Sequence, residues 1–514
     1  MFEADVHLHD LGAPPAIVGG ALVFGGSHVR PLAHRMVQWY ALAGPVRLLV
    51  IARERFSDDD AVSGTCRAAN EREIDTVLAD LDNYLLDYAA FILDRDETAI
   101  RYRTSPIVSI PAYIHTNSGL VMVDWDYTRL LRKMTVRPSI DIVLAQIAGR
   151  SPYGSRTIVE NLYRTVADSV TTVKLSGVAF CYPPPIEHEG PRVVAPNVDL
   201  ESVLLETIGD LIAARRLSPA QVAVEVSGGM DSALTAMAAA SALDGRLLSI
   251  GAQFSGAMGR AQAERRSLLV DRGGFDDLSV PAERYPPFFP GTARRTGLNV
   301  LPDDENYPEL FEVMFAALRS AGIDTLVSGF GGDELYAIYE DEEDGDGVPR
   351  QPFPSPFLSP EGRRRAQAVQ SDYPASWLQP SCWQSAAARS QRLLRFGLWP
   401  VYPFINVSLA RFVAALPYPH RRDRNLLRKT LTGVLGSSVF ETDYQKEAFG
   451  SVARRGIEEN KAYLLDLVRC SPLIEGHGID GAVLLRSLEV PAISLDKPTF
   501  EGLFRSLKVL AFFA

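Results

Sequence analysis

Along this chain the hydrophobic pattern changes character twice. Over residues 1–180 it consists of short apolar runs broken by turn residues, at 46–51, 89–94, 107–115 and 119–125, with one helical stretch at 73–85. That spacing predicts a mainly antiparallel sheet domain with some helix. A proline-rich crossing follows, Pro183, Pro184 and Pro185 through Pro191 and Pro196, and predicts a boundary between a domain of residues 1–198 and one of residues 199–514. Asp199 is a candidate N-cap for an amphipathic helix in which Val203, Leu204, Ile208, Leu211 and Ile212 recur at helical spacing. Strand and helix patterns then alternate, with strands at 222–226, 246–254, 277–280 and 325–328 and helices at 231–242, 260–271 and 307–321. Such alternation predicts a parallel sheet covered by helices on both faces, with ligands at the carboxyl ends of its strands. The acidic run at 340–346 and the prolines from Pro349 to Pro360 predict an exposed loop. Beyond about residue 375 the pattern is largely helical.

One of those strand ends carries chemistry. Val222, Val224 and Val226 give the β-branched run of a central strand, and an Ala-rich helix follows at 233–240. Between them the turn reads Ser227, Gly228, Gly229, Met230, Asp231, Ser232. Glycines let the backbone approach a ligand, and the helix start offers N–H groups and a positive dipole end to an anion. The hydroxyls of Ser227 and Ser232 add donors, and Asp231 suits the Mg²⁺ that a polyphosphate brings. A Walker-type loop would place a lysine here, and none is present. In the second segment, a strand at 325–328 runs through Gly329, Phe330, Gly331 and Gly332 into Asp333. Alone, Asp333 is equally what a helix cap looks like; beside Asp231 it supplies the second carboxylate of a polyphosphate-bound metal site.

Composition narrows the setting. The chain has 514 residues, 46% hydrophobic and 22% charged, as soluble globular proteins of two to four domains do. A formal charge of −11 disfavours general attraction to nucleic acid or anionic membranes. Four dispersed cysteines, Cys66, Cys181, Cys382 and Cys470, fit neither a disulfide framework nor a zinc site. Glu3, Asp5, His7, His9 and Asp10 stand where a signal peptide has basic residues, and no apolar run reaches membrane-spanning length, so a reducing cytoplasm is the expected location.

The S-G-G-x-D-S spelling resembles the pyrophosphate loop of ATP pyrophosphatases of the adenine nucleotide alpha hydrolase type. With the later motifs it resembles the asparagine synthetase family from about residue 199 to 450. Those motifs are Ser328-Gly329 to Asp333-Glu334, Gly397-Leu398 with Pro403-Phe404-Ile405-Asn406, Arg424 and Arg428, and Tyr444-Gln445-Lys446-Glu447-Ala448-Phe449. The resemblance implies an α/β synthetase domain with a helical C-terminal part, using ATP and Mg²⁺. Within it Ser227, Gly228, Gly229, Asp231 and Ser232 would bind pyrophosphate and metal, and Asp333 would be the second metal acid. Ser328 and Gly329 would line the nucleotide, Ile250 would lie near the adenine, and Lys446 would be catalytic, stabilising charge as the acyl-adenylate forms and collapses. The N-terminal domain is weakly similar to the family's glutaminase, an α+β Ntn-type domain, through 88–94 and 106–113.

Departures from the family pattern alter the acceptor half. Phe2 stands where glutamine-hydrolysing members have a cysteine nucleophile, so the glutaminase-like domain reads as degenerate and glutamine is not the expected nitrogen source. Phe330 stands where the family has glutamate or tyrosine, Val401 where it has arginine and Asn406 where it has aspartate. The branches that share the missing cysteine, lasso-peptide cyclases and β-lactam synthetases, form intramolecular amides, and the Gly331-Gly332-Asp333 spelling leans toward the cyclases. The expectation is therefore an AMP-forming amide synthetase acting on a carboxylate-bearing peptide or small molecule, with a protease or precursor-peptide-binding protein as possible partner. The alternatives are an ammonia-using asparagine synthetase relative and a non-catalytic nucleotide-binding scaffold.

Overall fold

The computed structural model of the protein describes residues 1–56, 63–150, 152–186, 190–336, 355–440 and 449–514. Lys446 and the acidic run at 340–346 therefore lie outside the described residues. Strands of the first 181 residues form two sheets. In the first, Phe2–His7 lies between Leu120–Asp124 and Ser27–Pro31, all antiparallel. In the second, Arg47–Glu54 lies between Tyr88–Asp94 and Val37–Ala43, also antiparallel. One pairing departs from the antiparallel expectation: Val37–Ala43 takes Thr65–Ala68 as a parallel neighbour. The sheets share one core, in which the buried Phe2 ring meets Phe91 and Tyr102 of the second sheet edge-on, at 5.9 and 6.0 Å between centroids. The expected 107–115 strand forms only at Tyr113–Asn117, and the 73–85 helix is Glu71–Asp80, capped by Asn70, ending in a 3₁₀ turn.

The other large element is a parallel sheet of five strands. Their order across the sheet is Asp276–Pro281, Leu248–Gln253, Val222–Glu225, Thr325–Val327, Trp399–Val401. Every neighbouring pair is parallel. In chain order this is 3-2-1-4-5, so succession runs outward one way, then restarts on the other side of the Val222 strand. Helix Leu200–Ala213 precedes the sheet, and its Asp199 cap accepts the Ser202 N–H at 3.0 Å. Helix Met230–Ala242 packs against it and against Asn425–Leu435, while Pro308–Ser320 covers the Leu248 and Asp276 strands. Four strands lie where the hydrophobic pattern put them. The fifth, Trp399–Val401, arises in a region expected to be largely helical.

Buried polar contacts join the two halves of the chain. Glu54, at the end of its strand, receives Arg215 Nε at 2.6 Å and Trp399 Nε1 at 2.7 Å. Asp126 receives Arg395 and Gln391, both from helix Pro380–Arg395. The last helix, Lys497–Phe512, packs on Ile140–Ile147. No helix of the described residues is long and apolar enough to cross a membrane, and all four cysteines are unpaired.

Side chains of Glu54 and Arg215 are 2% and 7% exposed. Removing Glu54 strands the Arg215 charge, buried with only the Leu211 carbonyl as partner. Glu54→Ala should therefore lower stability by about 3–5 kcal/mol, read from the urea denaturation midpoint, whereas Glu54→Leu combined with Arg215→Met should recover most of the loss.

Candidate functional site

Both glycine-rich turns leave the sheet at its switch point. There, adjacent strands send their connections in opposite directions and open a crevice at their carboxyl ends. The first turn joins Val222–Glu225 to helix Met230–Ala242, which starts immediately after Gly229. Gly228 has φ +87°, a conformation that side chains other than glycine's rarely adopt. Helix Gly256–Gly273 takes up the turn's carbonyls: Gln262 Nε2 donates to Ser227 O at 2.7 Å, Arg265 Nε to Gly228 O at 2.9 Å, and the Arg266 guanidinium to Val226 O. With carbonyls held on that side, the first N–H groups of helix Met230–Ala242, which have no intrahelical partner, are left for the crevice. Ser227 and Ser232 brace the turn, with hydroxyls 2.9 Å apart and Ser232 Oγ donating to Gly229 O at 3.0 Å.

The second turn follows Thr325–Val327. Ser328 is anchored on both sides, its N–H donating to Val401 O at 3.0 Å and its hydroxyl to Glu225 Oε2 at 2.7 Å. Gly329 is pressed against the first turn: a Cβ there would lie 2.6 Å from the carbonyl carbon of Asp231 and the nitrogen of Ser232. This backbone contact brings Asp231 and Asp333 to one point. A single nitrogen, Arg424 Nη1, donates to both oxygens of Asp231, at 3.0 and 2.9 Å, and to Asp333 Oδ1 at 2.5 Å. Arg424 reaches them from a kink in which Asp423 and Arg424 both have left-handed backbone, φ +50° and +57°. Such conformations cost non-glycine residues energy and concentrate at working sites.

A cavity of about 320 Å³ opens between the turns, reaching from Ser227 and Asp231 to Ser328, Asp333 and Arg424. Ala252, Phe254 and Phe449 supply apolar wall. Ile250, expected near the adenine, is fully buried in the sheet, its carbonyl accepting the Val226 N–H, and it does not line the cavity. The strand projects the same face two residues at a time, so Ala252, and Phe254 just past the strand's end, line the cavity instead. Gly228 also lies behind the wall, facing Gln262 and Arg266.

Several lining residues escaped the sequence reading. Arg389, buried, sits with its guanidinium 3.7 Å from the Phe311 ring centroid and 4.5 Å from that of Phe330, and pairs with Glu225 and Glu305 at 3.1 and 2.9 Å. Burial disfavours its charge, yet the two glutamates hold its pKa above the ordinary value. Gln262, Arg265 and Arg266 carry no local sequence signal for this role, because their partners are carbonyls of a turn far earlier in the chain. Asn406, where the resemblance gives aspartate, caps helix Val407–Ala414 by accepting the Leu409 N–H at 3.0 Å. Among the described residues no group of three or more His, Cys, Asp or Glu side chains is placed to hold a metal. Asp231 and Asp333 are the two carboxylates here that could share an ion, with its other ligands coming from outside the protein. The chain matches no model of a known protein family, and no curated protein is significantly similar to it.

Close approach at Gly329 predicts that Gly329→Ala, which must push the two turns apart, lowers thermal stability by about 1–3 kcal/mol. Gly433→Ala is the control. It faces open space in helix Asn425–Leu435, and there alanine should stabilise by about 0.4–1 kcal/mol.

Proposed function

We propose that this protein is an ATP-dependent, AMP-forming amide synthetase of the asparagine synthetase-like type. It adenylates a carboxylate and couples it to an amine, closing a lactam or macrolactam within a peptide or specialised metabolite. The observation that carries this reading is the meeting of a lysine-free S-G-G-x-D-S turn and a second acidic turn at the switch point of a 3-2-1-4-5 parallel sheet, where one cation, Arg424, touches both acids.

In this reading the N–H groups at Gly229 to Ser232 hold the β- and γ-phosphates, and Ala252, Phe254 and Phe449 flank the base. Mg²⁺ held by Asp231 and Asp333 would neutralise the leaving pyrophosphate. Arg424 must then yield its place, which the strained kink at 423–424 makes less costly. A substrate carboxylate oxygen bonds to the α-phosphorus as the bond to the α–β bridging oxygen breaks and pyrophosphate departs with that electron pair. The amine nitrogen then bonds to the acyl carbon, AMP leaves, and the nitrogen loses a proton to solvent. Lys446 keeps the role its motif implies, stabilising negative charge in both steps. Phe330 has no proton to give or take; it packs on Arg389 and Tyr402 and shapes the acceptor side instead.

Incubated with its carboxylate substrate, the protein should convert ATP to AMP and pyrophosphate, resolved by ion-exchange chromatography; ADP and phosphate would contradict the reading. Asp231→Asn and Asp333→Asn should each abolish this turnover while shifting the melting temperature little, because each removes one of two carboxylates crowded around a single cation.

Lys446→Ala should lower kcat by about 10²–10³, with ATP affinity changed only modestly, since a group acting in the transition state alone leaves ground-state binding intact. Steady-state kinetics with an independent nucleotide-binding titration separates the two effects.

A further inference from the structure

Next to the nucleotide cavity lies a larger one of about 900 Å³, and the two share Phe330 and Ser385 as common wall. Its far side is the last helix, Lys497–Phe512, whose Arg505 and Lys508, three residues apart, face the same way into it. Aromatic rings run between the two cavities as a stacked ladder. Phe449 of the nucleotide wall stacks on Tyr307 at 4.5 Å, Tyr307 on Phe504 at 6.2 Å, and Phe504 on Phe500 at 6.3 Å.

The charges in this chamber do not cancel locally. Three consecutive acids on its wall are each claimed by a buried arginine from elsewhere: Asp303 by Arg164 at 2.9 Å, Asp304 by Arg392 at 2.8 Å, and Glu305 by Arg389 at 2.9 Å. Lys508, only 5% exposed, is left with neutral acceptors, Pro302 O at 2.7 Å and Asn306 Oδ1 at 2.5 Å. Among the described residues no carboxylate lies within ion-pair distance of it. Arg505 has Glu501 at 3.9 Å, and its Nε is buried without a hydrogen-bond partner. A buried ammonium beside an under-satisfied guanidinium, at the wall of a chamber, is a site built for an anion.

We propose that this chamber is the acceptor-side binding site of the synthetase, that it takes an extended peptide segment laid along the aromatic ladder, and that Lys508 with Arg505 recognises an acidic side chain of that segment away from the reacting carboxyl. The assignment of the chamber to the acceptor side rests on the function proposed above; the anion site itself rests on the geometry. A volume of about 900 Å³ is near the upper end for small-molecule pockets and exceeds what a single amino acid fills. Burial, then Arg294, pushes the Lys508 ammonium down to about 7, with Arg505 acting the same way and Asp303 and Glu305 opposing. A bound carboxylate favours the charged form, so binding is strongest below that value and weakens as pH rises through it.

The test is retention of the intact protein on an array of synthetic decapeptides that vary in acidic and aromatic content, alongside binding of a fluorescent ATP analogue. Peptides with an Asp or Glu near an aromatic residue should be retained at pH 6.5 and progressively lost toward pH 9. Lys508→Met should weaken retention at least tenfold while the ATP analogue binds as before. Because Lys508 is buried, Ala388→Trp serves as a second variant: it fills the chamber from helix Pro380–Arg395 and should also lose the peptides. Undiminished retention by both variants, neutral peptides held as well as acidic ones, or no peptide held by the wild type would overturn the proposal. Peptide retention without binding of the ATP analogue would instead remove the nucleotide reading and leave the anion site standing.

Discussion

The backbones of the two glycine-rich turns touch at Gly329, and this contact is what brings their acids onto one cation. The missing Cβ lets the second turn lie against Asp231 and Ser232 of the first, and everything chemical about the site follows from that contact. Asp231 and Asp333 converge because their loops are in contact, and Arg424 can bridge them because they converge. The parallel sheet makes the contact available, since its switch point sends both turns out at one edge from neighbouring strands. A side chain at position 329 would hold the loops apart and leave two unrelated acids.

Arginine organises the interior around that contact. Helix Pro380–Arg395 carries Arg389, Arg392 and Arg395 inward, where they meet acids from both halves of the chain: Glu225 and Glu305, Asp304 and Glu312, and Asp126. Arg392 is fully buried, and Asp304 and Glu312 keep it charged against the desolvation that opposes charge. These pairs tie the strand that carries the Ser227–Ser232 turn to the loop at 303–305 that lines the chamber. Arg389, between Phe311 and Phe330, lines the smaller cavity, and through Phe330 and its pair with Glu305 it touches the wall of the larger one.

The sequence made the scaffold legible where a single strand or helix could announce itself. The β-branched run at 222–226, the Ala-rich helix after it and the Asp199 cap need only local chemistry, and they lie where expected. Trp399–Val401 did not announce itself: it is three residues long, contains Pro400, and becomes a strand only because Thr325–Val327 offers an unpaired edge. Ile250 lies inside the sheet and off the cavity, because the pattern marks a strand's face but not how far the crevice descends along it. Gln262, Arg265 and Arg266 fall within the expected 260–271 helix, but their partners are carbonyls of a turn some 35 residues earlier in the chain. Pairings of that kind are fixed by tertiary structure and leave no periodic trace.

The central claim is that the space between Asp231 and Asp333 is a metal site for a nucleotide whose phosphates lie on the Ser227–Ser232 turn, and that Arg424 holds it until then. A crystal structure with α,β-methylene-ATP and Mg²⁺ tests this most directly. The account predicts density for the β- and γ-phosphates against the N–H groups of Gly229 to Ser232, a metal ion bound by Asp231 and Asp333, and the Arg424 guanidinium moved off both carboxylates. Phosphates bound away from this turn, or Arg424 still bridging the two acids with the nucleotide in place, would contradict it.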